Sequence, residues 1–165
     1  MARRRQRSVE SLVAILRDPA RSFAQHDEAV RLLGRAGGEA VQPLVALLRE
    51  DDAGARGRAA AALGRIGSPA IKALRGLLGD SDPQVRAGAV MALGLSRQAR
   101  AVRPLVNMLG DPDAEVRRKA AVALGWLGND YALEALTAAL QDDAEAVREA
   151  ARQALDRIAG AHPGP

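Results

Sequence analysis

The side chains able to do chemistry are few and scattered. Histidine, the usual proton shuttle and a common metal ligand, occurs twice, as His26 and His162. Neither is followed by glutamate, and two residues so far apart do not gather a metal by themselves. There is no cysteine, which removes thiolate nucleophiles, thiolate zinc sites and disulfides together. The acid pairs Asp80/Asp82 and Asp111/Asp113 could hold a cation, but they stand where helix ends and N-caps attract negative charge. Gly64-x-x-Gly67 and Gly125-x-x-Gly128 outline a phosphate clamp, but they fall where helices must stop, and glycine stops helices. No Gly-x-Ser-x-Gly elbow or phosphate-cradling loop is present. No catalytic residue, metal ligand or cofactor is expected.

What remains is the chemistry of binding. Arg3, Arg4, Arg5 and Arg7 could grip nucleic acid or an acidic partner. They also account for the net charge of +4, because 24 basic residues face 20 acidic ones and four of the excess lie in the first seven positions. The body is therefore neutral, unlike a domain that presents a basic face to nucleic acid. No apolar run reaches the ~18 residues that cross a bilayer, and no secretory leader is visible. The expected location is cytoplasmic, with no membrane association.

The elements that position these groups follow from a repeat. Ala62-Leu63-Gly64, Ala92-Leu93-Gly94 and Ala123-Leu124-Gly125 recur at spacings of 30 and 31, with eroded copies at Leu32-Leu33-Gly34 and Ala154-Leu155-Asp156. Such a period means stacked units, each burying its neighbour's apolar face. In one unit, Asp82-Pro83 reads as N-cap and first helical residue. Val85, Ala89, Ala92 and Leu93 then form one apolar stripe, and Gly94 lies near the stop. A second helix carries Val102, Leu105, Met108 and Leu109. Val9–Asp18 reads as a second helix without its first, and Ala144–Ala159 as a first without its second. Roughly ten antiparallel helices are expected in a single array over 9–160, with a basic tail at 1–8 and a short tail at 161–165.

One polar pattern runs through the array. Glu50 and Arg56, Asp80 and Arg86, Asp111 and Arg117, and Asp142 and Arg148 are each six residues apart. The spacing predicts a structural ladder of charge-assisted bonds between acid and arginine across the inter-repeat loops. In the first copy Ala20 and His26 replace the pair, so that rung should be missing.

The run Asp-Pro-x-Val-Arg-x-x-Ala-x-x-Ala-Leu-Gly from Asp82 to Gly94, repeated from Asp113 to Gly125 with Ala114 for proline, resembles the HEAT-like repeat of the phycobilisome-lyase type. The resemblance extends from about Asp27 to Gly160. It implies an all-α, right-handed α-solenoid of about five helix pairs, whose second helices line a concave face. Similar repeats occur in bilin lyase subunits, metal-dependent hydroxylases, DNA glycosylases and adaptors. The His-Glu pairs of the hydroxylases are lacking, and a single tryptophan is poor provision for holding an extruded base.

Candidate partner-binding residues are those that break the repeat pattern. On the second helices these are Lys72, Arg75 and Arg103, a mildly basic strip, with Val45, Val106 and Asn107 beside it. After each Leu-Gly, arginine is usual (Arg35, Arg65, Arg157), so Leu95 and Trp126 stand out, with Tyr131 near by. An exposed Leu95–Trp126–Tyr131 cluster would make an interface anchor; alternatively Trp126 folds over its own inter-helix turn. The expected function is a non-catalytic adaptor for a protein or peptide. A nucleic-acid-associated protein using the Arg tail and the basic strip, and a subunit of a bilin-lyase-like complex, are the alternatives. The unpaired last helix could make a weak homodimer from an otherwise monomeric chain.

Overall fold

The computed structural model describes residues 8–161 as ten α-helices: α1 (Val9–Arg17), α2 (Phe23–Ala36), α3 (Val41–Leu48), α4 (Ala53–Ile66), α5 (Ser68–Leu77), α6 (Pro83–Leu95), α7 (Val102–Asn107), α8 (Ala114–Leu127), α9 (Leu133–Ala139) and α10 (Glu145–Ala161). No strand occurs among these residues. The two expected tails lie outside them, apart from Ser8, which caps α1, and Ala161, which ends α10. Arg3, Arg4, Arg5, Arg7 and His162 are outside as well.

Local chemistry sets the helix ends. Ser8 accepts the Ser11 amide at 3.2 Å, and Ser22 and Gln25 form a reciprocal capping box. Asp52, Asp82 and Asp113 each accept an amide two or three residues on, satisfying donors that the first turn would otherwise leave orphaned. Gly37, Gly67 and Gly128 end α2, α4 and α8 at φ of 65°, 69° and 61°, a region open to glycine at little cost.

The glycines of the Ala-Leu-Gly triplets do something else. Gly64, Gly94 and Gly125 lie inside α4, α6 and α8 and are buried. A Cβ on Gly64 would stand 2.5 Å from the Leu95 Cβ, one on Gly94 would stand 2.6 Å from the Ala123 Cβ, and one on Gly125 would stand 2.9 Å from the Ala154 Cα. These residues let one triplet helix lie directly against the next. The expectation that Gly64 and Gly125 stop helices is therefore corrected: Gly67 and Gly128 stop them, and the triplet glycine sets the distance between repeats.

The helices form two layers. In the first, α2, α4, α6, α8 and α10 pack one on the next along their length; in the second, α3, α5, α7 and α9 meet more sparsely. Between them runs a continuous core of leucine, alanine and valine, including Leu16, Leu33, Leu44, Leu63, Leu74, Leu93, Leu105, Leu124 and Leu136, all fully buried. Stacked units whose layers differ in spacing bend toward the tighter layer. The inside of the bend is thus the glycine-contacted layer, and the resemblance's implication that the second helices line the concave face is corrected. Framed from the helix before Asp82, the repeat puts its Asp-Pro helix inside.

Candidate binding surface

The ladder residues occupy the turns at one edge of the array. Arg56, Arg86, Arg117 and Arg148 each donate through Nη1 to the main-chain carbonyl of the acid six residues back, at 2.7, 2.9, 2.9 and 2.8 Å. The expected partner, that residue's carboxylate, is not the one they meet. The carboxylate of Asp80, Asp111 or Asp142 turns to the amide two residues on and is met from the preceding repeat. Arg86 clamps Asp111 with two bonds of 2.8 Å, and Arg117 clamps Asp142 at 2.8 and 3.0 Å. Each arginine thus ties its own loop to the next one. The first copy has no such rung: Ala20 stands at the acid position, and His26 Nε2 instead lies 3.0 Å from the carbonyl of Asp18, eight residues back.

These bonds set the charge states. The Arg117 fork takes Asp142 down to about 2. Burial pushes Asp111 upward, but the Arg86 fork and the Asp113 amide outweigh it and leave the carboxyl below its ordinary range. Arg86 and Arg117 are raised by the same hydrogen bonds.

The rungs are of two kinds, and turn length separates them. Where a short turn joins the two helices, as at Gly67, arginine and following acid are 24 residues apart (Arg56 and Asp80); where it is longer, as between α6 and α7, they are 25 apart (Arg86 and Asp111). In the longer units the ladder arginine clamps the acid. In the shorter ones another arginine takes it: Arg49 holds Asp80 at 2.8 Å, and Arg17 holds Glu50 at 2.6 Å. Arg56 is left with its carbonyl bond, and among the described residues no carboxylate reaches its fork.

Arg56 also borders a groove on the inner layer. Ala53, Gly57 and Ala60 of α4 and Gln84, Gly88, Met91 and Leu95 of α6 line it, with Lys119 of α8 at its margin, around a volume of about 200 Å³. Its walls are low because small residues stand where neighbouring repeats carry long ones. Gly88 occupies the position of Arg58 and Lys119, and Arg58 fills its own inter-helix space by donating Nε to the Leu16 carbonyl at 2.7 Å. Gly57 is exposed and a Cβ there would meet nothing within 4 Å, so no packing demand explains a glycine that costs a helix ~1 kcal/mol relative to alanine.

The model of the family described as HEAT repeats matches residues 9–82 and 71–156. The chain belongs to the HEAT-repeat family. Among solved structures, this HEAT-repeat chain is similar to the complex of CpcE and CpcF of phycocyanin lyase from Nostoc sp. PCC7120, with TM-score 0.64 and 22% identity over 88% of this chain and 96% of that one. It is also similar to human deoxyhypusine hydroxylase in complex with glycerol, with TM-score 0.60 and 22% identity over 92% and 74%. A third neighbour is a designed armadillo repeat protein in complex with the peptide (KR)4, with TM-score 0.53 and 23% identity over 91% and 81%. No curated protein matches. These likenesses describe the fold.

The HEAT-repeat architecture divides the expected binding residues between its two sides. Lys72, Arg75, Arg103 and Asn107 are exposed on the outer layer, where Val106 is half-buried against the core and Val45 is buried. Val45 thus offers no surface, a correction. Tyr131, 56% exposed, stands in the turn before α9 with the Arg103 guanidinium 5.2 Å from its ring centre, a cation–π contact. Leu95 and Trp126 belong to the inner layer. Leu95, 40% exposed, lies over Gly64 and lines the groove. Trp126 is half-buried with its ring edge over Gly94, so it reaches the preceding repeat. Among the described residues no ring contact joins Trp126 to Tyr131. Sequence reasoning missed Gly57, Gln84, Gly88, Met91 and Lys119. The signal was there in Gly88, a glycine aligned with Arg58 and Lys119. Among the described residues no group of three or more His, Cys, Asp or Glu is placed to hold a metal, and no helix is long and apolar enough to cross a membrane.

Proposed function

We propose that this HEAT-repeat protein is a non-catalytic adaptor that holds a protein or peptide on its inner layer. The observation that carries the reading is the groove between α4 and α6, whose floor is bare helix backbone at Gly57 and Gly88. Packing accounts for Gly88, where a Cβ would stand 3.0 Å from Leu48 Cδ2, but a Cβ on Gly57 would meet nothing within 4 Å. A glycine that costs helix stability and fills no contact is what a surface needs when another backbone must approach closely. Arg86, Arg117, Asp80, Asp111 and Asp142 are held in loop-to-loop bonds, which supports a structural role for them over a chemical one. The designed armadillo protein complexed with (KR)4 is a peptide-bound array of similar fold. Lys72, Arg75, Arg103, Asn107 and Tyr131 on the outer layer make a second, weaker candidate surface.

The test is a selection of random peptides on the immobilised full-length protein, with and without 0.5 M salt as a working condition (about a 4 Å screening length). Peptides whose binding survives salt and is lost when Gly57 is filled support the adaptor. Capture of nucleic acid that disappears with salt and with removal of residues 1–7 would move the reading to a nucleic-acid-associated protein. A second reading, a subunit of a bilin-lyase-like complex, draws support from the similarity that spans 96% of the Nostoc chain. A chromophore copurifying with the protein, or transferred in its presence, would favour it.

A further inference from the structure

We infer that the α4–α6 groove is a receptor for an acidic segment of a partner protein, a carboxylate beside an aliphatic side chain, with the carboxylate seated on the open fork of Arg56. This rests on the adaptor reading and names the ligand chemistry of that same groove.

The array contains its own template for the contact. Arg86 and Arg117 stand at the positions equivalent to Arg56, bond the same kind of main-chain carbonyl through Nη1, and use the remaining Nε–Nη2 edge to grip an aspartate. Arg56 makes the carbonyl bond, which fixes the guanidinium, and has no carboxylate on the other edge. The acid that would have filled it, Asp80, is held by Arg49. A guanidinium fixed at one end and open at the other matches a carboxylate in both charge and plane.

The groove supplies the remaining features. Lys119 adds a second cation at its margin, shared with Glu115 at 3.6 Å. Gly57, Ala60 and Gly88 form an apolar floor between the cations, and Met91 and Leu95 form a flexible apolar wall. A cationic end with an apolar bed selects an acid flanked by leucine, isoleucine or valine. A lysine- or arginine-rich segment would bring like charge against Arg56 and Lys119.

The experiment takes peptides enriched from the random library on the full-length protein, labels them, and measures fluorescence anisotropy for each beside its Glu→Gln or Asp→Asn copy. The expected result is an acidic residue in the enriched peptides and a loss of about 10- to 100-fold in affinity on neutralising it. Two variants keep the fold while altering the receptor. Arg56→Lys retains the charge and a donor for the Glu50 carbonyl but lacks the fork. Gly57→Leu fills the floor from a position with open space around it. Both should weaken the acidic peptides at least about tenfold with the unfolding midpoint unchanged or, for Gly57→Leu, raised. Enriched peptides without acid, or acidic peptides that bind both variants as tightly as the parent, overturn the inference and leave the adaptor reading standing. No enrichment of any peptide overturns both.

Discussion

At the scale of single residues, the decisive distinction is between ion pairs that are enclosed and those that are not. The Arg86–Asp111 pair has side chains 12% and 4% exposed, whereas Arg17–Glu50 has 51% and 36%. Breaking an enclosed pair strands a charge, so Asp111→Asn should cost ~2–4 kcal/mol in urea unfolding. Glu50→Gln should cost less than ~1 kcal/mol. The same pairs govern acid stability. Asp142 falls from 3.8 to about 2 on folding, and Asp80 and Asp111 are also lowered. A lowered carboxyl stabilises the fold fully above its unfolded value and stops doing so as pH drops through its folded one. Stability should therefore be level above about pH 5 and fall between about pH 4 and pH 2, with thermal melts across that range as the check. Asp142→Asn should flatten part of the slope. The sequence made the ladder's members legible, because six-residue spacing survives in every full repeat. It did not make their pairing legible, because the partner of Arg86 lies 25 residues ahead and is chosen by turn geometry, which spacing alone does not report.

Among helices, glycine has two opposite meanings in this chain. Gly94→Ala would push a methyl to within 2.6 Å of the Ala123 Cβ. The expected result is a loss of ~1–3 kcal/mol despite alanine's better helix propensity. Gly57→Ala meets open space, so it should gain up to ~1 kcal/mol. Equilibrium unfolding of the two variants should show opposite signs, and equal signs would refute the account of the layers. Helix number and type were readable from apolar stripes and caps: Asp82-Pro83 opens α6 as its residue types demand. Which layer lies inside was not readable, since the triplet glycine looks the same whether it ends a helix or touches one. Trp126 shows the same limit. Its departure from arginine was visible, but its seat over Gly94 belongs to a contact 32 residues away.

Across the described residues, stability is carried by contacts between nearest neighbours, and α1 and α10 are each packed from one side of the stack only, α1 by α2, α3 and α4 and α10 by α8 and α9. Amide exchange should accordingly be fastest in α1 and α10 and slowest in α4, α6 and α8. Uniform protection along the chain would mean the array melts as one block. The turn at Gly67 has a consequence at this scale as well. It is one residue shorter than the turn that follows α6, and an arginine without a carboxylate accompanies it. Three nucleotides inserted there would lengthen the turn, carry Asp80 toward Arg56, and give the groove an internal tenant. In a lineage of such arrays, recognition could then be gained or erased by an insertion or deletion at the opposite end of α4 from Arg56, while every residue lining the groove stayed the same.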